Sequence, residues 1–423
     1  MPDSKIIDRR LVVLGAILIQ LCLGAIYAWS VFTPALKTAG WSKLDTQLVF
    51  SVGLAVFALV MVWAGRKMPI WGPRKLALRG GLILGAGYIL AGLAGGTHFW
   101  ALVLGIGVIG GAGIGLAYVV PIAVGMRWFP DKKGLITGLA VAGFGFGAMG
   151  WVKIADSWGQ LIARIGLANT FIVYGVAFAL LVVLGSLWMV FPPGGWTPAG
   201  FQAPKPAGGA PAPAATAAPP AGRDFTPAEM LATVQFYLIF ATFAVCAAAG
   251  LMAIGLMKLY PMEALQKAGY SAAEASAIAG TAMAVCFSLA NGIGRIAWGS
   301  LSDKLGRRRS ILIMAASQGV LFLAFTGMAG NEWLLYLGAI LIGFNFGGNF
   351  ALFPTITADT FGATSVGQNY PYIFLSYGVG GILGPILGGL LGDMGNFPLA
   401  FTVCGFACFA GALCTALIRP PKG

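Results

Sequence analysis

Two polar side chains one helical turn apart, Asn291 and Arg295, sit in a run of small residues, Asn291-Gly292-Ile293-Gly294-Arg295. A guanidinium presents a planar fork of donors that grips a carboxylate through two parallel hydrogen bonds, and it stays charged even when partly desolvated. An amide four residues earlier shares its helix face and could orient the same ligand. The chemistry on offer is recognition of a small anion rather than bond making. Catalysis finds no support: the single histidine, His98, falls in a loop, and no nucleophile–base pair or metal-ligand cluster stands out, so neither an enzyme, a metal centre nor a cofactor is expected.

The surroundings of this pair are apolar. The chain of 423 residues is 58% hydrophobic and only 9% charged, against about 25% charged in an ordinary soluble domain. Crossing a hydrocarbon core takes about 20 mostly apolar residues per helix. Apolar runs of that kind fall near 11–34, 46–64, 77–95, 99–126, 134–154 and 168–191, then near 231–258, 273–300, 309–329, 333–357, 366–391 and 398–418. The fold class is therefore an all-α membrane protein of twelve transmembrane helices. The first run comes after a charged start, but it is longer than a signal-peptide core and lacks a small-residue cleavage site, so it is read as a retained helix.

The net charge of +13 would suggest a nucleic-acid partner in a soluble protein. Here the cations collect in alternate short loops, among them Arg66, Lys67, Arg74, Lys75, Arg79, Lys132, Lys133 and Arg307 to Arg309, while the opposite side carries only Lys37, Lys43, Arg164, Lys258 and Lys267. The positive-inside bias explains this without nucleic acid and places both termini and the central linker in the cytoplasm, in the cell inner membrane. All six cysteines lie within apolar runs and read as small core residues rather than a disulfide framework.

Residues 192–228 are rich in Pro, Ala and Gly and cannot pack a core, which divides the chain into a first six-helix bundle at 1–191, a cytoplasmic linker and a second bundle at 229–423. The linker ends on Thr226-Pro227-Ala228-Glu229, a capping box that starts a helix. Ala39-Gly40-Trp41-Ser42-Lys43-Leu44-Asp45 introduces span two as Ala268-Gly269-Tyr270-Ser271-Ala272-Ala273-Glu274 introduces span eight, and Gly65 to Lys75 corresponds to Gly299 to Arg309. Such a repeat implies two similar bundles related by a pseudo-two-fold axis, with a substrate site at their interface near the midplane.

Ionisable residues inside spans are costly and mark function by default. Arg295, Lys153 and Asp359 are the candidates. Lys153 falls near the outer surface, three positions before Asp156, where snorkelling or pairing accounts for it. Asp359 precedes the Phe361-Gly362 turn and reads as an acid of the inner loop. Arg295 lies only about 6 Å of helix from Gly299 at the inner end, so snorkelling competes with anion binding. Its companion Asn291 and its small neighbours favour binding.

The run Gly299-x-x-x-Asp303-x-x-Gly306-Arg307-Arg308 resembles the signature loop of the major facilitator superfamily (MFS), which lies between spans two and three and recurs between eight and nine. In the first copy Pro69 stands where the acid would be. That family's acid braces a neighbouring helix end and stabilises one gating state, a role the resemblance carries to Asp303 and Arg307, with Gly299 opening the motif. Longer matches are Tyr27-Ala28-Trp29-Ser30, Arg127-Trp128-Phe129-Pro130-Asp131-Lys132-Lys133-Gly134 and Ala351-Leu352-Phe353-Pro354, which resemble the oxalate/formate antiporter family close to the monocarboxylate transporters. The likeness covers nearly the whole chain outside the linker. It implies a carboxylate held by Arg295 and an aromatic wall of Tyr27, Tyr118, Phe346, Phe350 and Tyr377, of which all but Tyr118 and Tyr377 would singly be read as helix packing.

Two departures from the family patterns matter. The oxalate pattern has a lysine in span eleven where this chain has Tyr377. A dianion beside one arginine would keep an uncompensated buried charge, so a monoanion fits better. The animal monocarboxylate pattern has an Asp where Asn291 stands, which removes the usual proton relay. The expectation is a proton-coupled symporter of a small monocarboxylate such as lactate or pyruvate, monomeric in the lipid bilayer and working by alternating access, with an oxalate/formate-type exchanger as the alternative. A multidrug exporter or a solute-sensing receptor lacks its intramembrane acid or its signalling domain. The many glycines of spans four, five, ten and eleven are expected to permit close helix approach across the halves.

Overall fold

A computed structural model of the chain describes residues 7–155, 159–198, 224–257 and 259–419. Residues 199–223 of the linker and Asp156, the expected companion of Lys153, lie outside the described residues. Among those described there is no strand, and twelve helices are long and apolar enough to cross a membrane. They are α1 (Arg9–Trp29), α2 (Leu48–Trp71), α3 (Pro73–Leu93), α4 (Phe99–Trp128), α5 (Lys133–Ala155), α6 (Leu161–Ser186), α7 (Val234–Ile254), α8 (Ala272–Leu305), α9 (Arg307–Met328), α10 (Glu332–Phe361), α11 (Val366–Gly388) and α12 (Phe397–Leu417). Helices satisfy every backbone group internally, which a membrane interior demands. Large apolar side chains stand on the outer surface, Trp333 76% exposed and Leu93 70%, as a lipid-facing exterior requires.

The repeat is visible in the local chemistry. Ser42 and Asp45 form a complete capping box at one end of α2, and Ser271 and Glu274 form its twin at the start of α8. The Ser42 hydroxyl and then its backbone N–H hold the Asp45 carboxyl below the usual carboxylate range. At the far ends the two helices stop on Gly72 (φ 76°, ψ 157°) and Gly306 (φ 84°, ψ 152°). A left-handed φ of this kind favours glycine, which has no Cβ to clash. Counted from its cap, α8 is nevertheless the longer helix, 34 residues against 29 for Lys43–Trp71, and it contains a wide π-type turn at Ala282–Phe287, one turn ahead of Asn291. The linker's closing capping box also forms, heading a short helix Pro227–Leu231 just before α7. Span six starts where its apolar run suggests: Gly166 (φ 77°) kinks the helix Leu161–Ser186, and the membrane-length part follows that kink.

The helices group into two compact units, one of residues Met1–Trp128 and Leu139–Gly195, the other of Phe129–Gly138 and Trp196–Gly423. Within the first, a Cβ on Gly80 of α3 would lie 2.7 Å from the Gly113 carbonyl oxygen of α4 and 2.8 Å from the Ala117 Cβ, so these backbones touch. The glycines that drew notice in spans five and eleven also serve contacts internal to a unit: Gly143 and Gly147 face α1, and Gly380 and Gly384 face α7. All six cysteines are free thiols.

Close approach of this kind makes a direct prediction. Gly80→Ala should destabilise the purified protein by about 1–3 kcal/mol, the usual cost of overpacking, seen as a lower melting temperature in detergent. Gly280→Ala, where an added Cβ meets nothing within 4 Å, should melt no lower than the parent. Equal melting of the two variants would show that α3 and α4 do not touch at Gly80.

Candidate functional site

Three glycines set the position of Arg295. Added Cβ atoms on Gly294 of α8 and on Gly347 of α10 would overlap the carbonyls of Phe344 and Asn291, and one on Gly343 would sit 2.5 Å from the Phe287 carbonyl oxygen. The backbones of α8 and α10 therefore meet along this stretch, and Phe350, three residues after Gly347, comes within reach of the arginine. The Arg295 guanidinium carbon lies 4.2 Å from the Phe350 ring centroid. Its Nε donates to Asn291 Oδ1 at 3.0 Å. The side chain is only 2% exposed, so it does not snorkel to the end of its helix.

Asn291 thus acts first on the arginine. Its amide oxygen accepts from Nε and, together with the Phe350 face, fixes the plane of the guanidinium. One turn further along α8, Trp298 Nε1 donates to Asn345 Oδ1 of α10 at 3.1 Å, and Asn345 Nδ2 donates to Ser317 Oγ of α9 at 3.0 Å. This relay pins the three helices behind the site.

The five aromatics expected to line a wall fall into two groups, one in each unit. In the second unit Phe346 and Phe350 meet edge to face with centroids 5.6 Å apart, and Phe350 meets Tyr377 at 5.3 Å. An edge of the Phe346 ring abuts Gly250 of α7, where a Cβ would overlap it. In the first unit Tyr118 packs between Phe57 at 5.0 Å and Phe144 at 5.4 Å, and Tyr27 meets the same Phe144 at 5.1 Å. Gln20, two turns before Tyr27 on α1, was not anticipated from the sequence. Its Nε2 donates to the Tyr118 carbonyl at 3.0 Å while its buried Oε1 meets no donor. A neutral amide inside an apolar span is a readable signal, but a search for ionisable groups passes over it.

The signature residues form a second cluster, about 12 Å along α8 from Arg295. The first turn of α5 leaves backbone N–H groups without helical acceptors, and Asp303 takes two of them, Gly134 N to Oδ1 at 2.8 Å and Leu135 N to Oδ2 at 2.9 Å. Gly299 makes room, since a Cβ there would overlap the Gly134 carbonyl. Arg307 Nη2 lies 2.6 Å from Asp303 Oδ1, and its Nε lies 2.9 Å from Asp359 Oδ2. Lys133 Nζ completes the set at 2.8 Å from Asp359 Oδ1. Asp359 is therefore not a solitary loop acid: it belongs to a four-charge network with Lys133, Arg307 and Asp303, which sequence position alone does not reveal. At the same end of the unit Asp224, the first described residue after position 223 of the linker, accepts from Thr364 N at 3.1 Å and Ser365 N at 3.3 Å, in the turn that leads into α11.

Comparison with known proteins agrees with this architecture. The Major Facilitator Superfamily pattern matches residues 12–285 and 238–423. The chain is 30% identical to the uncharacterized MFS-type transporter YhjX of Escherichia coli K12, over 90% of this chain and 88% of that one. It is 25% identical to the oxalate:formate antiporter of Oxalobacter formigenes over 97% and 91%, and 26% identical to apicoplast pyruvate carrier 1 of Toxoplasma gondii over 86% and 80%. Its fold resembles the crystal structure of the MFS transporter FucP in the outward conformation, with a TM-score of 0.67 and 15% identity over 96% of this chain and 98% of that one. A chain of twelve membrane-length helices that matches the family along nearly its whole length belongs to the Major Facilitator Superfamily, as a multi-pass membrane transporter.

Proposed function

We propose that this transporter carries small monocarboxylates such as lactate or pyruvate by proton-coupled symport and alternating access, acting as a monomer in the inner membrane with both termini cytoplasmic. The observation that carries the reading is the buried guanidinium of Arg295, held in plane by Asn291 and Phe350. With Nε engaged by Asn291, an incoming carboxylate meets the Nη edge of the fork. Phe346, Phe350 and Tyr377 then shield the ion pair from water, which strengthens it. A monoanion neutralises one guanidinium, whereas a dianion leaves a net buried charge, and Tyr377 supplies no second cation. The named activities of the oxalate:formate antiporter and the pyruvate carrier support the broader class of small carboxylates. The first of them also supports the second reading, carboxylate exchange. An amide rather than an acid precedes Arg295, so the proton enters on the substrate carboxylate itself.

The Asp303 network is proposed to stabilise one gating state, in which α5 is capped by an acid carried at the end of α8. Removing the acid leaves two backbone donors and Arg307 undercompensated, a loss of about 1–3 kcal/mol in that state.

Three measurements in proteoliposomes test these proposals. Arg295→Lys, which keeps the charge and loses the fork, should weaken apparent affinity for lactate at least tenfold; unchanged affinity would remove the carboxylate role. Competition should rank lactate and pyruvate above formate and oxalate, and an imposed pH gradient should drive net uptake; preference for oxalate with strict one-for-one exchange would establish the alternative. Asp303→Ala should alter the balance of gating states, read by spin-label distances across the cytoplasmic ends, while Asp303→Glu restores it in part. An unchanged distance distribution in Asp303→Ala would rule out the gating role.

A further inference from the structure

The first copy of the signature loop has lost more than its acid. In the register that aligns Gly72 with Gly306, Pro69 replaces Asp303 and Pro73 replaces Arg307, so both partners of the charge network are prolines. What the loop carries instead is Arg66, Lys67, Arg74, Lys75 and Arg79, and no Asp or Glu occurs between Asp45 and Asp131. In the second copy Arg307 is engaged by Asp303 and Asp359, and Arg308 donates to the carbonyls of Thr415 and Ala416. In the first copy Arg74, the counterpart of Arg308, is exposed, as are Lys75 and Arg79.

Two indoles accompany these cations. Trp63 and Trp71 meet edge to face with centroids 5.1 Å apart at the end of α2. Lys67 Nζ lies 5.8 Å from the Trp63 ring, and the Arg79 guanidinium lies 4.0 Å from the Trp71 ring. Trp63 is 44% exposed and the adjacent Ile70 73%, so apolar surface continues from the helix flank to the charged loop. Indoles prefer the headgroup level of a bilayer, where their ring is buried and their N–H is wet. Clustered Lys and Arg at that level attract anionic lipid headgroups. A positive-inside bias alone would scatter cations; here two are seated on tryptophan faces at the membrane boundary.

We propose that the adjoining ends of α2 and α3, which meet at Gly72, bind the phosphate headgroup of an anionic phospholipid, with Arg74, Lys75 and Arg79 of α3 meeting the phosphate, Lys67 of α2 beside them, and Trp63 and Trp71 lying along the acyl-chain root. This site is independent of the carboxylate reading.

The test uses the full-length protein in detergent with added phosphatidylglycerol or phosphatidylcholine, read by melting temperature and by native mass spectrometry. Phosphatidylglycerol should raise the melting temperature by several degrees and remain bound through desolvation. The variant K67Q/R74Q/K75Q/R79Q should lose at least half of that gain, while K304Q/R309Q, which removes cations from the second copy, should keep it. Should the fourfold variant fold poorly, R74Q/K75Q, altering exposed residues only, is expected to lose a measurable part. Retention of the full gain by either loop variant overturns the proposal, and so does an equal gain from phosphatidylcholine or from inorganic phosphate.

Discussion

A permanent positive charge set among apolar helices costs several kcal/mol unless its surroundings answer it, and the second unit is organised around doing so at Arg295. The Asn291 amide supplies a charge-assisted hydrogen bond of about 1.5–3 kcal/mol, and the Phe350 face adds about 0.5–2 kcal/mol more. The first contact is internal to α8, but the second exists only because α8 and α10 lie backbone to backbone, which Gly294, Gly343 and Gly347 permit. The Trp298–Asn345–Ser317 relay then holds α9 against the same pair. A single ionic requirement thus explains why this stretch is small, polar and aromatic in alternation.

The two copies of the repeat have kept the same backbone and divided their chemistry. Both begin on a Ser-x-x-acid box and both end their second helix on a left-handed glycine. Only the second copy retains the carboxylate that receives the N–H groups of α5 and the arginine that balances it. The first answers with proline, cations and indoles. A shared turn with different side chains is the expected outcome when the fold requires the turn but not the charges.

Much of this was legible from residue order, because membrane helices, caps and turns are local. The twelve apolar runs, both capping boxes and the Gly-x-x-x-Asp loop are patterns within a few residues, and each formed. Arg295 was also legible, since a cation in an apolar run announces itself. Its burial was not: whether a side chain near the end of an apolar run reaches for water depends on how far the helix continues, here to Leu305, and on the Phe350 face presented by another helix. The partners of Asp359 were hidden for the same reason, as Lys133 and Arg307 come from far along the chain. Gln20 escaped because its significance lies in the Tyr118 carbonyl it meets, a contact between residues 98 positions apart.

The cap that Asp303 places on α5 spans 169 positions of sequence. A ribosome adding about 5–20 residues per second needs on the order of 8–34 s to make the intervening chain. Until then the donors of the first turn of α5 are without this carboxylate. The order of manufacture thereby places completion of this helix end late in biogenesis. A chain halted before Asp303 would hold its first six spans yet still lack one helix terminus.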